Sequence, residues 1–329
     1  MINSIIKYAS IIILCLVSTN VFSQYIQQVQ VQQNSQTQQD SVINYWKSLN
    51  RASLDVSEVA FVNWNAGGSN SISGLVGLEM QRNFQKDLLV WENRLNMRYG
   101  VNKQEDRDLR KTDDILEMYS RFGFRNDTLS NWYFSANFSF KTQFNRGYKY
   151  SGDERQVISK FLAPAYMFLG VGTVYGEHID SFSAHLSPLT LKATFVLDQA
   201  LADLGSFGVD PAEYDIDGNR IKKGETSRKE VGILVTSKYE AELMENISMR
   251  SLVTLYTDYL NDFGNTDVDW EVNFNFRVNN YVRASFGSHL RYDNDIKTVV
   301  GETDEGETIL GGARVQWKQL LGVGVAVDF

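Results

Sequence analysis

The chain has 329 residues, 22% charged and 12% aromatic, with a mean hydropathy of -0.29 and a formal net charge of -8. The acidic balance excludes the basic face that a nucleic-acid partner needs. Only the N-terminus approaches the roughly 20 consecutive apolar residues of a membrane-spanning helix, which excludes a multi-helix membrane protein.

Residues 1–23 read as a secretory signal peptide: Lys7 is the basic residue, Ile11 to Val17 the apolar core, and Val21-Phe22-Ser23 the site of cleavage before Gln24. The one cysteine, Cys15, lies inside that core. Leu14 precedes it, where a lipidation site wants a small residue. The mature chain therefore has no thiol, which rules out disulfides, thiol catalysis and Cys-ligated metal. Residues 24–50 are rich in glutamine, from Gln27 and Gln28 to Gln38 and Gln39. Such a tract cannot bury a core and is expected to be a disordered periplasmic tail. Tyr45, Trp46 and Leu49 are expected to form a short amphipathic turn at its end.

From residue 51 the chain reads as one domain, with a period of two from about residue 53. Twelve strands are expected, over 53–62, 71–82, 88–101, 112–125, 132–145, 159–174, 181–196, 228–243, 247–261, 267–279, 281–293 and 308–329. In the clearest one, Val268, Trp270, Val272, Phe274, Phe276 and Val278 alternate with Asp269, Glu271, Asn273, Asn275 and Arg277. A tight Asn279-Asn280 turn is expected after it, since Asn tolerates positive φ. Trp132, Phe134, Ala136, Phe138 and Phe140 repeat the scheme against Ser135, Asn137, Ser139 and Lys141. Short connections alternate with mostly longer ones, and the last strand alternates apolar residues up to Phe329. These features give an all-β fold class: a transmembrane antiparallel up-and-down β-barrel of about twelve strands, apolar outside and polar within. An even strand count places both termini in the periplasm. The register puts Trp270, Phe274, Phe276, Phe286, Phe134 and Phe138 toward lipid.

The same register lines the lumen with Glu79, Glu92, Arg94, Arg98, Glu117, Arg121, Lys141, Glu271, Arg277, Arg283 and Arg291. Opposed acids and bases either set the selectivity of a water-filled pore or pair into a network that fills it. For hydrolysis only His178, His185 and His289 offer a base. His185 has Ser183 and Ser187 on its own face, but no nucleophile elbow accompanies it. Asp215-Ile216-Asp217-Gly218-Asn219 resembles a fragment of a calcium loop, with glycine fourth where the EF-hand wants it sixth; a turn in a small β-hairpin explains it without metal. No nucleotide or phosphate fingerprint is present, and no cofactor, metal or catalytic residue is expected.

Asn63-Trp64-Asn65-Ala66-Gly67-Gly68-Ser69-Asn70-Ser71, Arg110-Lys111-Thr112-Asp113-Asp114, Phe140-Lys141-Thr142-Gln143-Phe144, Phe161-Leu162-Ala163-Pro164-Ala165-Tyr166 and Leu186-Ser187-Pro188-Leu189-Thr190 resemble the recurring segments of a Bacteroidota outer-membrane barrel family of unknown function. The resemblance runs from about 50 to 329 and implies lineage and envelope location, but no activity. Most of these segments fall at the outer ends of strands. A shared site would then lie at the external mouth, built from Asn63, Trp64, Lys111, Asp113, Asp114, Lys141 and Gln143. The bland alternative is that Gly67-Gly68, Pro164 and Pro188 mark turns and bulges demanded by closure. The leading functional expectation is a pore or uptake channel for small polar solutes. The alternative is an accessory subunit of an outer-membrane assembly or secretion complex, and the third reading a hydrolase. Expected partners are outer-membrane lipid, the barrel-insertion machinery during biogenesis, and a small polar solute or other envelope proteins.

Overall fold

The computed structural model describes residues 44–329 except 60–68, 106, 128, 152–153, 177–180, 261–262 and 303–307. The signal peptide, the glutamine tract up to residue 43, Asn63, Trp64 and His178 lie outside the described residues. Residues Tyr45–Phe329 form one unit. Its strands are β1 (Trp46–Val59), β2 (Ser71–Lys86), β3 (Leu89–Gln104), β4 (Arg110–Phe124), β5 (Trp132–Thr142), β6 (Gly147–Ser151), β7 (Glu154–Ser159), β8 (Ala165–Tyr175), β9 (Phe182–Phe195), β10 (Glu213–Tyr214), β11 (Arg220–Lys222), β12 (Ser227–Met244), β13 (Ile247–Asp258), β14 (Asp267–Arg277), β15 (Val282–Tyr292), β16 (Lys297–Glu302), β17 (Thr308–Ala313) and β18 (Gln316–Asp328). Helix α1 (Gln199–Asp203) lies between β9 and β10.

Twelve strands close into an antiparallel barrel in the ring order β1-β18-β15-β14-β13-β12-β9-β8-β5-β4-β3-β2. The other six pair as three small hairpins, β6-β7, β10-β11 and β16-β17, all in the long connections. Among the described residues no helix is long and apolar enough to cross a membrane; the strands do so. The two faces of the wall follow from alternation and register. Trp270 pairs with Leu290, Phe274 with Phe286 and Phe276 with Ala284, then Phe286 with Leu321 and Ala284 with Val323, and Val323 with Val56. This apolar set faces out, and a closed sheet with an apolar exterior is the fold of an outer-membrane barrel. Phe134 and Phe138, paired with Thr173 and Leu169, share the outward face.

Aromatic rings gather where the strands meet the short turns: Trp46 lies 5.3 Å from Phe84 and 5.7 Å from Trp91, and Trp132 lies 4.9 Å from Tyr175. Three outward indoles are held alike. Trp91, Trp270 and Trp317 donate Nε1–H to Ser120, Ser251 and Ser288 Oγ, each at 3.0 Å on a neighbouring strand. These bonds satisfy donor and hydroxyl together, which a lipid-facing surface requires.

The structure corrects several boundaries. The first strand begins at Trp46, inside the segment assigned to the glutamine-rich tail, and ends at Val59. The segment 308–329 is two strands: β17 pairs with β16 above the wall, and only β18 belongs to the barrel. Likewise 159–164 precedes the wall strand β8. The β14–β15 turn spans residues 278–281, and positive φ plays no part in it. Asn279 instead accepts the Tyr281 and Val282 amides on Oδ1, both at 2.8 Å, so its side chain shapes the turn.

The register carries a direct test. Phe286→Arg should cost about 2–4 kcal/mol in urea unfolding from lipid vesicles, whereas Asn275→Ser, on the inner face, should change little. Comparable losses for both would overturn the facing assigned to β14 and β15.

Candidate functional site

Inward positions carry the charged residues, and many pair along the wall. Arg121 Nη2 donates to Glu92 at 2.7 Å, Arg250 lies 3.2 Å from Glu240, Arg94 3.9 Å from Glu79 and Arg283 3.9 Å from Asp55. Glu117 is in register with Lys141. Arg277 sits exposed at the end of β14.

Other contacts cross the lumen. Lys318 on β18 donates to Asp113 on β4 at 2.8 Å, four strands away around the ring. Arg98 adds its Nε 3.1 Å from the second Asp113 oxygen, close but without hydrogen-bond alignment. Lys141 on β5 reaches Glu271 on β14 at 3.9 Å, and Arg291 on β15 lies over the Tyr166 ring of β8 at 4.7 Å; both pairs are five strands apart. Lys192 on β9 donates to Asp267 on β14 at 2.7 Å and lies 3.3 Å from Glu230. The lumen is thus divided by side chains in contact across it.

The candidate mouth residues that lie among the described residues do not come together as one group. A register shift at Gly100/Val101 inserts Thr112 as an extra residue in β4, so Lys111 and Asp114 share one face while Asp113 points into the lumen. Asp114 accepts Lys111 Nζ at 2.8 Å and the amides of Phe144 and Asn145 at 2.7 and 2.8 Å. Its task is to pin the strand end to the next connection. Gln143 donates to Lys160 O at 3.1 Å, and Thr142 Oγ1 bonds Pro164 O and the Leu162 amide at 2.9 and 3.1 Å. Lys141 faces the lumen with Asp113.

The long connection between β9 and β12 is an ordered cap. Val196, Leu201, Ala202 and Val209 bury themselves with Ala163, and Phe207 packs against them. Asp198 caps α1 through the Leu201 amide at 3.2 Å and pairs with Lys160. Asp203 accepts Gln199 and the Gly224 amide at 2.7 and 2.9 Å. On its far side the cap meets the β15–β16 segment. Arg228 donates to Gly208 O at 3.1 Å and lies 3.0 Å from Asp295.

His185 and Ser187 are both buried in the lumen wall. The Ser187 hydroxyl donates to Val171 O and Leu189 O at 3.0 and 3.3 Å, while His185 Nε2 has no hydrogen-bond partner among the described residues. The serine serves a bulge, and the pair is not assembled as nucleophile and base. Asp215 Oδ1 accepts the amides of Asp217 and Asn219 at 3.0 and 2.7 Å within the β10-β11 hairpin, so that carboxylate is spent on its own turn. Asp269, Glu271 and His289 bring one ligand atom each within 4.8 Å of one another. Lys141 stands 3.9 Å from that Glu271, which makes the trio part of the cross-lumen ion network.

Sequence reasoning missed the group of Lys192, Glu230, Tyr256 and Asp267, three of them buried. All four occupy inward positions of assigned strands. Periodicity gives the face but not which side chains of distant strands meet.

Residues 56–148 match the model of a family described as a protein of unknown function, DUF3078. The match includes three of the five segments quoted above and ends before the segments at 161–166 and 186–190. Among solved structures, the chain is similar to the translocator domain of the autotransporter NalP from Neisseria meningitidis (10% identity, 95% of each chain covered, TM-score 0.37). It is also similar to an outer membrane channel from Pseudomonas putida F1 (9% identity, 89% of this chain and 100% of that one, TM-score 0.38). A third is the NanC porin (8% identity, 84% and 98%, TM-score 0.35). No curated protein matches the chain.

Two outcomes test the cap. Leu201→Ala empties the centre of its small core, a change that costs about 2–5 kcal/mol in a packed interior. Proteolysis within 197–226 should rise, while the heat-dependent gel shift of the barrel stays. The second concerns acid. The Lys160 hydrogen bond, assisted by the Leu201 amide, holds the Asp198 carboxyl below its ordinary pKa. A depressed carboxylate stabilises fully above its unfolded value, about 3.9, and that contribution is lost as pH falls through the lower folded value. Pepsin cleavage of the cap should therefore increase on acidification below about pH 4, and less so in Asp198→Asn. An equal response in the variant would remove Asp198 from this role.

Proposed function

We propose that this barrel gives constricted, charge-gated passage to small polar solutes across an outer membrane. At rest its lumen is held closed by cross-lumen ion pairs. The long connections and the cap then face outward, and both termini lie in the periplasm. The carrying observation is the Lys318–Asp113 contact at 2.8 Å between strands four apart around the ring, supported by Lys141–Glu271 at 3.9 Å. In a low-dielectric barrel such pairs are weak as net stabilisers, because desolvation offsets their attraction. They are strong as selectors, because a charged solute can take the place of one partner. A general diffusion pore is disfavoured for the same reason.

In planar bilayers the wild type should be nearly silent at rest. A Lys318→Ala, Lys141→Ala double variant, still heat-modifiable, should conduct several-fold more. Silence in both proteins would end the passage reading and leave an accessory role in an envelope assembly, for which co-purification is the test. Free sugar permeation through the wild type would overturn the constriction.

A further inference from the structure

We propose that the outward face of β1 to β4, close to the short turns, holds a site for the phosphate headgroup of an anionic phospholipid. The register fixes the faces there. Outward Val56 lies opposite Gly74, so the outward row of β2 continues through Val76, Leu78, Met80, Arg82 and Phe84. Arg82 is the one charge among them, and it is exposed. Across the wall Arg82 is in register with Ser48 on β1 and Asn93 on β3, and Asn93 with Ser120 on β4. A polar belt therefore crosses four strands of the lipid-facing surface. On its turn side lie the rings of Trp46, Phe84, Trp91 and Phe122, and on its other side Met80, Leu95 and Met118. Two residues of a tilted strand rise about 5 Å along the membrane normal. Arg82 is thus within reach of the headgroup level that such aromatic rows mark.

The guanidinium is held in place but not neutralised. Nη1 donates to Gln81 O at 2.6 Å and to Leu49 O at 3.4 Å, and Nη2 donates to Asn50 Oδ1 at 2.8 Å. All three acceptors are uncharged, and arginine carries five N–H groups, so donors remain for a ligand. The belt around it is fixed as well: Asn93 Nδ2 donates to Arg82 O at 3.3 Å and Ser120 Oγ to Asn93 Oδ1 at 2.8 Å. Lys86 continues the outward row of β2 beyond the aromatic rings, with Nζ 5.0 Å from the Tyr45 ring centroid. The two cations bracket the aromatic row, and neither forms an ion pair among the described residues.

A charge on the lipid face of a barrel is costly in proportion to its depth, and such charges mark places where a partner meets them. Phospholipid phosphate is the counter-charge available at this level of a bilayer, and the planar fork of arginine matches its oxygens. Met80, Leu95 and Met118 then offer the acyl chains an apolar wall directly beside the headgroup.

The folded, full-length protein in detergent should be titrated with dioleoylphosphatidylglycerol and observed by native mass spectrometry. One lipid is expected to be retained well beyond the rest. Dioleoylglycerol, with the same chains and no phosphate, should not displace it. Arg82→Gln should lower the apparent affinity at least about tenfold, because a hydrogen bond to a charged group is lost, and Lys86→Gln should lower it less. Lys103→Gln, an outward lysine at the opposite end of β3, should leave retention unchanged. Both site variants should keep the heat-dependent gel shift. Retention untouched by both site variants, displacement by dioleoylglycerol, or an equal loss in Lys103→Gln would overturn the proposal. So would a dimer in lipid-free detergent that Arg82→Gln dissociates, which would assign the patch to a second copy of the chain.

Discussion

Within hydrocarbon there is no water to satisfy a backbone amide, so a sheet can cross a membrane only if its first and last strands pair with each other. Here that closure runs from Arg51 opposite Asp328 to Val56 opposite Val323. The end of the chain is secured by three further contacts. The Phe329 amide donates to Asn50 O and Asn50 Nδ2 to Phe329 O, both at 2.9 Å, and Arg51 forks onto Asp328 at 2.6 and 2.7 Å. Once the ring is closed, each residue's face is decided, because a slip by one position reverses every side chain of a strand. The apolar exterior and the charged lumen are two expressions of the same register.

A polar lumen must then satisfy itself. Its arginines and lysines find carboxylates on neighbouring strands where they can and on opposite strands where they must. The wall also makes room for close approach at glycines: a Cβ on Gly172 would lie 2.0 Å from Leu186 O and one on Gly232 2.0 Å from Thr257 O, so only glycine lets β8 meet β9 and β12 meet β13 there. The cap repeats the logic on a smaller scale. Its few buried aliphatic side chains could not hold the segment alone, and the carboxylates of Asp198 and Asp203 fasten it through amides and cations.

Much of the wall was legible because alternation is a local property. All twelve barrel strands overlap segments whose period of two is visible in the residues themselves, and the order of short and long connections follows from hairpin geometry. The hairpins β6-β7 and β16-β17 were not legible, since they stand clear of the wall and lack its apolar face. The separation of Asp113 from Lys111 and Asp114 was hidden for a different reason. Lys111, Asp113 and Asp114 are adjacent in the chain, but the extra residue Thr112 sends Asp113 inward and leaves the other two on the rim. A bulge of one residue leaves no mark in composition. The lumen group of Lys192, Glu230, Tyr256 and Asp267 comes from four different strands, and pairing across a ring is a property of closure rather than of any segment.

The bulge in β9 bears on how such a wall can change over evolutionary time. Leu186 and Leu189 both face out although three positions separate them, because the register shifts by one against β8 and, at the same level, against β12. An odd step has been absorbed here on one strand, without disturbing the nine wall strands that do not touch it. Pro188 suits the position since it brings no N–H that the ladder would miss. The Tyr259 hydroxyl takes its carbonyl at 2.6 Å, and Ser187 takes that of Val171. Away from such bulges a lineage can gain or lose wall residues only two at a time, so length variation among relatives should collect in the connections and at stitches of this kind, such as those in β9 and β4.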